Sequence, residues 1–449
     1  MQGRKGMKGS TQFTEGKILA PLIKFAIPVL LALCLQAMYG AIDLLVVGQF
    51  GTPADVSAVA TGSQMMQTIT NIITGLSMGT TILLGQMIGM KKSDEAGNII
   101  GSAICFFAVL AVAFTVCMMF VANPFAVIMQ APAEAFAKTV GYVRICSGGL
   151  IFIVAYNVLG SIFRGLGDSR TPLITVAVAS AFNVVGDLLF VAVFHMASAG
   201  AALATVLAQA LSVVFCVLII RKRGLPFPFS GKNIHFDKKL IAQMVKLGFP
   251  IALQDGLVSV SFLVLMAIIN DLGVIASAGI GVAQKLCSFI MLVPSSFAQS
   301  LSAFVAQNIG AGKPDRARKS MLCGMAVSFL IGIVMAYASF FHGDILAGIF
   351  AKDGDVILAA ADYLKAYAID TLLVSFLFCF IGYFNGCGRT FFVMAQGLIG
   401  AFAVRIPVAM MMSRIEPVSL FRVGLAIPIS TVVQITVCVI YFVLFGRRE

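Results

Sequence analysis

Two acids stand where acids are expensive. Asp43 lies late in one apolar stretch and Asp187 in the middle of another, and an ionisable group in hydrocarbon needs a reason to be there. Gln36, Tyr39 and Asp43 fall at i, i+3 and i+7, which puts them on one helical face. Asn183 and Asp187, at i and i+4, share a face of the second stretch, and Thr205 and Asn157 offer a hydroxyl and an amide on two more. If these faces point inward, two carboxylates, an amide oxygen and a hydroxyl converge. Such a hard-oxygen set suits Na⁺. It suits protons equally, because burial beside a like charge favours the protonated form of a carboxyl group. The bland alternative is glue, polar side chains hydrogen-bonding across helices. Unpaired acids are poor glue, whereas Asn157 and Tyr39 taken alone fit either role.

The elements that must carry these residues are membrane helices. The chain has 449 residues, 60% hydrophobic and only 11% charged, with a mean hydropathy of +1.01. Soluble domains carry roughly 25% charged residues, so this chain could not cover a water-facing surface. The run from Ser102 to Ala122 has no charge, and the run from Pro172 to Phe194 has only Asp187. A helix needs about 20 residues to cross about 30 Å of hydrocarbon. Twelve such stretches can be drawn, at 18–49, 56–88, 98–122, 139–163, 172–195, 199–220, 240–270, 276–308, 319–342, 360–384, 391–413 and 422–446. They are apolar all round, which argues for helices and against an outer-membrane barrel. The first strong apolar stretch follows Lys17 and carries an acid, so it does not read as a cleavable signal peptide.

The net charge of +12 could suggest nucleic acid, but the Lys and Arg residues gather in alternate loops, for example Lys91 and Lys92, Arg164 and Arg170, Arg221 to Arg223, and Lys313 to Lys319. Both ends of the chain join this set. The positive-inside rule then puts both termini in the cytoplasm and requires an even number of spans.

The longest polar interruption, 221–239, reads as a cytoplasmic linker between an amino lobe at 18–220 and a carboxy lobe at 240–446, with cytoplasmic tails at 1–17 and 447–449. The two halves are related. Lys24 to Pro28 recurs as Lys246 to Pro250, and Gly51 matches Gly273 at the same offset. Gln86 to Gly89 recurs as Gln307 to Gly310, and Phe163 to Gly167 as Phe384 to Gly388, with the register shifted by a single position. Six spans between equivalent points make these parallel repeats, related by an axis along the membrane normal. The expected fold is therefore an all-α polytopic protein of 12 transmembrane helices in two parallel six-helix repeats, two lobes around a central cleft. Pro28 and Pro250 sit at matching places in the first helix of each half, where proline removes a hydrogen bond. Pro28 is read as a hinge because Asp43 shares its helix, and Pro250 as a static bend.

At this point a family resemblance becomes specific. Arg164-Gly165-Leu166-Gly167-Asp168-Ser169-Arg170-Thr171-Pro172 resembles the RGxGDTRTP signature of the multidrug and toxic compound extrusion (MATE) transporters, and Asp43 to Gly48 with Gly51 looks like their DxxxVGxxG stretch. With the twelve spans, the resemblance covers essentially the whole chain. It implies a secondary transporter of the bacterial inner membrane that exports organic, often cationic, compounds in antiport with H⁺ or Na⁺. In the DinF-like branch the coupling cluster falls here on Asp43, Asn183, Asp187 and Thr205, which would also be the Na⁺ site. The NorM-like branch uses a carboxylate eight residues after the span 7 proline, where this chain has Val258; Asp255 and Asp370 lie nearby but off that pattern. A flippase for a lipid-linked precursor is the alternative. Such flippases often keep a strongly basic central cavity, and the reading is disfavoured because Lys285 and Arg405 are the only plausible cations to line one here.

Other chemistries find little support. No P-loop GxxxxGK[ST] occurs, and the Gly165-Leu166-Gly167 turn follows no strand. The three histidines, His195, His235 and His342, are scattered, and no nucleophile–base pair stands out, so an enzyme is not expected. The ten cysteines occur singly, without metal spacing, and read as small buried hydrophobes. The 37 Phe and 22 Met suit a broad apolar cavity. Met38, Met65, Phe152, Phe289 and Met291 are its candidate lining. No cofactor beyond the coupling ion, no nucleic acid and no second subunit are expected, the partners being small organic molecules and the bilayer.

Overall fold

The computed structural model describes residues 13–227 and 229–445, apart from the side chains of Ser93, Asp94 and Phe445. Residues 1–12 and 446–449, which hold most of the expected tails, lie outside the described residues. The helices, in chain order, are α1 (Leu19–Phe50), α2 (Pro53–Gly89), α3 (Ser93–Ile128), α4 (Ala133–Gly148), α5 (Leu150–Gly165), α6 (Arg170–Asp187), α7 (Ala197–Arg223), α8 (Lys238–Asn270), α9 (Val274–Ile290), α10 (Leu292–Gly310), α11 (Pro314–Phe341), α12 (Gly343–Gly348), α13 (Gly354–Gly386), α14 (Thr390–Leu398), α15 (Ile406–Met412), α16 (Leu420–Gly424) and α17 (Ala426–Phe445). Among the described residues eleven helical stretches are long and apolar enough to cross a membrane. A twelfth span is the pair α4 and α5, bent by 52° at Gly149. The apolar runs underestimate most of these helices, which carry extra turns at their ends. Capping explains one such end: the Thr52 hydroxyl accepts from the Asp55 amide, the Asp55 carboxylate accepts from the Thr52 amide, and Pro53 takes the first turn.

The chain folds into two compact units. The first spans Ile27–Ala252; the second combines residues 13–26 with the described residues from 253 onward. Each boundary falls close to a repeated proline, so α1 and α8 both change unit beside Pro28 and Pro250. In the first unit α2 is the central helix, packed on α4 and α5, with α6 paired to α7 and α3 laid on α4 and α5. In the second unit α13 is central, contacting α9, α10, α11 and α17.

The repeat is visible in the packing. The Thr81 hydroxyl donates to the Ser161 carbonyl at 2.8 Å, and at the matching positions of the second half the Ser302 hydroxyl donates to the Gly382 carbonyl at 3.3 Å. Gly165 lies against Thr81 and Leu84, and Gly386 against the equivalent Ser302 and Val305. Gly167 and Gly388 both adopt positive φ, 80° and 78°, in the loops that follow. In the first of these loops the Asp168 carboxylate accepts from the Arg170 amide, the Thr171 amide and the Thr171 hydroxyl. The signature loop is thus a tight connector fastened by its own acid.

A short strap precedes α1 in the second unit. The Phe13 ring is fully buried against Phe25 and Phe304, with centroids 5.0 and 4.7 Å away. Arg316 donates to the carbonyls of Phe13, Glu15, Gly16 and Lys17, and Asn308 and Lys313 donate to those of Phe13 and Thr14.

Candidate functional site

Close helix approach builds the site in the first unit. Gly149, at the α4–α5 break, faces Val206 of α7 so tightly that a Cβ there would come within 2.4 Å of the valine methyl. Gly186 of α6 leaves 3.1 Å between such a Cβ and Ala204 of α7. Small residues let membrane helices approach in this way, and both contacts flank Thr205. Just past Asp187 the backbone widens into a π-helical turn, Leu188–Val193, a distortion frequent at functional sites.

The four groups come together. The Thr205 hydroxyl donates to Asp43 Oδ2 at 3.0 Å, and the Asn183 amide reaches the same hydroxyl at 3.5 Å. The Asp43 and Asp187 carboxyl groups face each other within hydrogen-bonding reach. As two carboxylates they have no donor to share; a single proton between them would complete the bond. Asp43 is 3% exposed and Asp187 0%. Asp43 Oδ1, Asn183 Oδ1 and both Asp187 oxygens are buried without a hydrogen-bond donor. Buried oxygens are nearly always satisfied, so four orphans in one cluster form a donor-poor set that fits a cation or a proton. No lysine or arginine forms an ion pair with either acid among the described residues. Nor does any group of three His, Cys, Asp or Glu among them suit a transition metal.

A cavity of about 150 Å³ opens beside Asp43 and Thr205. Gln36, Tyr39 and Asn157 all line it, as their spacing suggests, but each is tied elsewhere. Gln36 donates to the Tyr156 hydroxyl at 3.1 Å, the Tyr39 hydroxyl to the Val176 carbonyl at 3.0 Å, and Asn157 accepts from the Thr74 hydroxyl at 3.0 Å. Asn183 and Asp187 lie behind the cavity wall and reach it only through Thr205 and Asp43. Of the apolar candidates in this unit, Met38, Met65 and Phe152 do not line it; Met66 and Ile153 do. Met38 is exposed and Met65 is core. In the second unit Phe289 is exposed and Met291 packs against an apolar cluster. Ser63, Gln67, Thr70, Tyr142, Tyr156 and Gln209 add to the polar lining and were missed, although Gln209 falls four residues after Thr205, on the same face.

A second ionic group was also missed. Asp55, 2% exposed, accepts from Lys138 at 2.7 Å and from the Ser198 hydroxyl at 3.1 Å, joining α2, α4 and α7. Its only trace in the sequence is the Thr52-Pro53-Ala54-Asp55 cap. Elsewhere Lys285 lies over the Phe350 ring and makes no ion pair with Asp255. Arg405 is buried, donates to Ser261 and stacks on Phe262.

Twelve spans in two repeats, with acids buried in both and a pair of facing acids in the first, make this a polytopic membrane protein. The MatE family model matches residues 28–189 and 250–411, two segments of equal length that begin at the repeated prolines. The chain therefore belongs to the MatE family, whose members are transporters and not enzymes. It is 26% identical over 396 residues to the probable multidrug resistance protein YpnP of Bacillus subtilis strain 168, covering 88% of both chains. It is 21% identical over 396 residues to the multidrug export protein MepA of Staphylococcus saprophyticus, covering 86% of both. Among solved structures it matches the outward-facing conformation of a multidrug resistance MATE family transporter of the MOP superfamily. That match has a TM-score of 0.90 and 19% identity, covering 99% of this chain and 98% of that one.

Proposed function

We propose that this protein exports organic, often cationic, compounds by antiport with H⁺ or Na⁺, and that Asp43, Asn183, Asp187 and Thr205 form its ion-coupling site. The observation that carries the reading is the cluster of four buried oxygens without donors. Relatives named as multidrug resistance and multidrug export proteins support the substrate class. Loading the two acids with a cation from outside neutralises them, and α1, which bears Asp43, bends near Pro28. The ion leaves toward the cytoplasm after substrate has gone the other way. Coupling requires ion and substrate to prefer opposite states, because an ion with equal affinity for both shifts nothing. Both termini face the cytoplasm, the membrane is the bacterial inner membrane, and one chain suffices.

The test is export by the full chain in proteoliposomes under independently imposed pH and Na⁺ gradients. Export driven by one of them, and lost in Asp43→Asn, is expected. Undiminished gradient-driven export by Asp43→Asn would remove the cluster from the mechanism.

A further inference from the structure

A larger cavity in the first unit has no part in the coupling site. It encloses about 760 Å³, a ligand-sized volume, between the basic ends of α3, α5 and α7 and the segment that follows α7. Its walls are Ile100 and Ile104 of α3, Leu159 and Ile162 of α5, and Phe227 and Phe229 of the segment. The cavity is built and not a packing gap. The segment lies so close on α3 that a Cβ at Gly101 would meet the Asn233 carbonyl. Asn233 donates to Asn98 at 2.8 Å, and the Ser102 hydroxyl to the His235 carbonyl at 3.2 Å. A linker serving only to join two halves has no need to roof a chamber with phenylalanines.

One cation lines the chamber. Arg221, exposed in the last turn of α7, has no hydrogen-bond or ion-pair partner among the described residues, and Lys222 and Arg223 follow it outside the lining. An apolar chamber at the basic end of a membrane bundle, with one unpaired guanidinium at its edge, matches a molecule with a hydrocarbon body and an anionic head. Basic pockets between transmembrane helices hold anionic lipid headgroups in this manner. The geometry points to a built-in site for one anionic phospholipid, its acyl chain against Ile104 and Phe229 and its phosphate on Arg221. Bidentate donors make arginine well suited to that phosphate. The occupant stiffens the segment on α3 from inside.

Native mass spectrometry of the purified full chain, titrated with phosphatidylglycerol and with phosphatidylcholine, tests this. Wild-type protein is expected to retain one phosphatidylglycerol through delipidation and to prefer it to phosphatidylcholine by about fivefold or more, the factor one interfacial charge supplies. Arg221→Gln abolishes the preference, Arg221→Lys keeps part of it, and Lys222→Gln leaves it within about twofold. Ile104→Trp, which fills the chamber, loses both lipids. Equal retention of the two lipids by the wild-type protein overturns the proposal without recourse to any variant, as does a preference that survives Arg221→Gln.

Discussion

Both units bury acid, and they treat it oppositely. In the first, Asp43 and Asp187 face each other, Asp43 alone accepts from the Thr205 hydroxyl, and four neighbouring oxygens, both of Asp187 among them, are left without donors. In the second, Asp370 is 1% exposed but accepts a 2.6 Å hydrogen bond from Thr431 and lies in the field of Arg405. The repeat sharpens the contrast. In the register that aligns Pro28 with Pro250, the counterpart of Asp43 is Leu265, 1% exposed in an apolar cluster with Ala409 and Ile427. The same architecture therefore holds one acid with a fixed hydroxyl donor and an arginine in its vicinity, and one acid pair with a single donor between its four oxygens. Under the proposed function, it is the pair poor in donors that registers an ion's arrival.

The largest effect that can break this comparison is on coupled export. Asp43→Asn or Asp187→Asn is expected to reduce gradient-driven export in proteoliposomes by about a hundredfold or more, because the differential affinity that couples ion to substrate is gone. Asp370→Asn should cost at most about threefold in the same assay, since it removes an acid already satisfied. Equal losses in the two units would end the asymmetry. Next comes stability. Arg405→Gln leaves Asp370 buried in a weaker field and should lower the melting temperature in detergent by an amount equivalent to about 3 kcal/mol, and adding Asp370→Asn should restore part of it. Asp187→Asn is expected to leave the melting temperature unchanged or raised, because it relieves a buried like-charge contact. The smallest difference is steric. A Cβ at Gly386 would approach Val305 to 2.6 Å, whereas one at Gly165 stays 3.1 Å from the Thr81 carbonyl. Gly386→Ala should therefore cost more than Gly165→Ala, both within about 1–3 kcal/mol by thermal melting.

Much of this was legible in the sequence, for particular reasons. Charge is rare in hydrocarbon, so Asp43 and Asp187 announced themselves, and helical spacing put Gln36 and Tyr39 on the cavity side. The repeat was readable because Pro28, Gly51 and Phe163 to Gly167 recur in register. Spacing could not say which partner a polar group takes: Gln36, Tyr39 and Asn157 share the cavity with Asp43 but bond to other residues. Met38 and Met66 were indistinguishable because apolar side chains serve lipid, core and cavity alike. Asp55 and Lys138 stand 83 residues apart on different helices, a pairing no local pattern encodes. The exchange of α1 and α8 between units beside their prolines was hidden as well, since each reads as one unbroken apolar helix.

The strap before α1 bears on how the protein is made. Phe13 and Arg316 are separated by 303 residues, and the slot for the Phe13 ring includes Phe304. At about 5–20 residues per second, ribosomes deliver that slot roughly 15–60 s after the strap itself. The strap must wait, unattached, while the entire first half enters the membrane. Its capture is among the last events of biogenesis, so a chain whose strap is still free has not yet completed its second half.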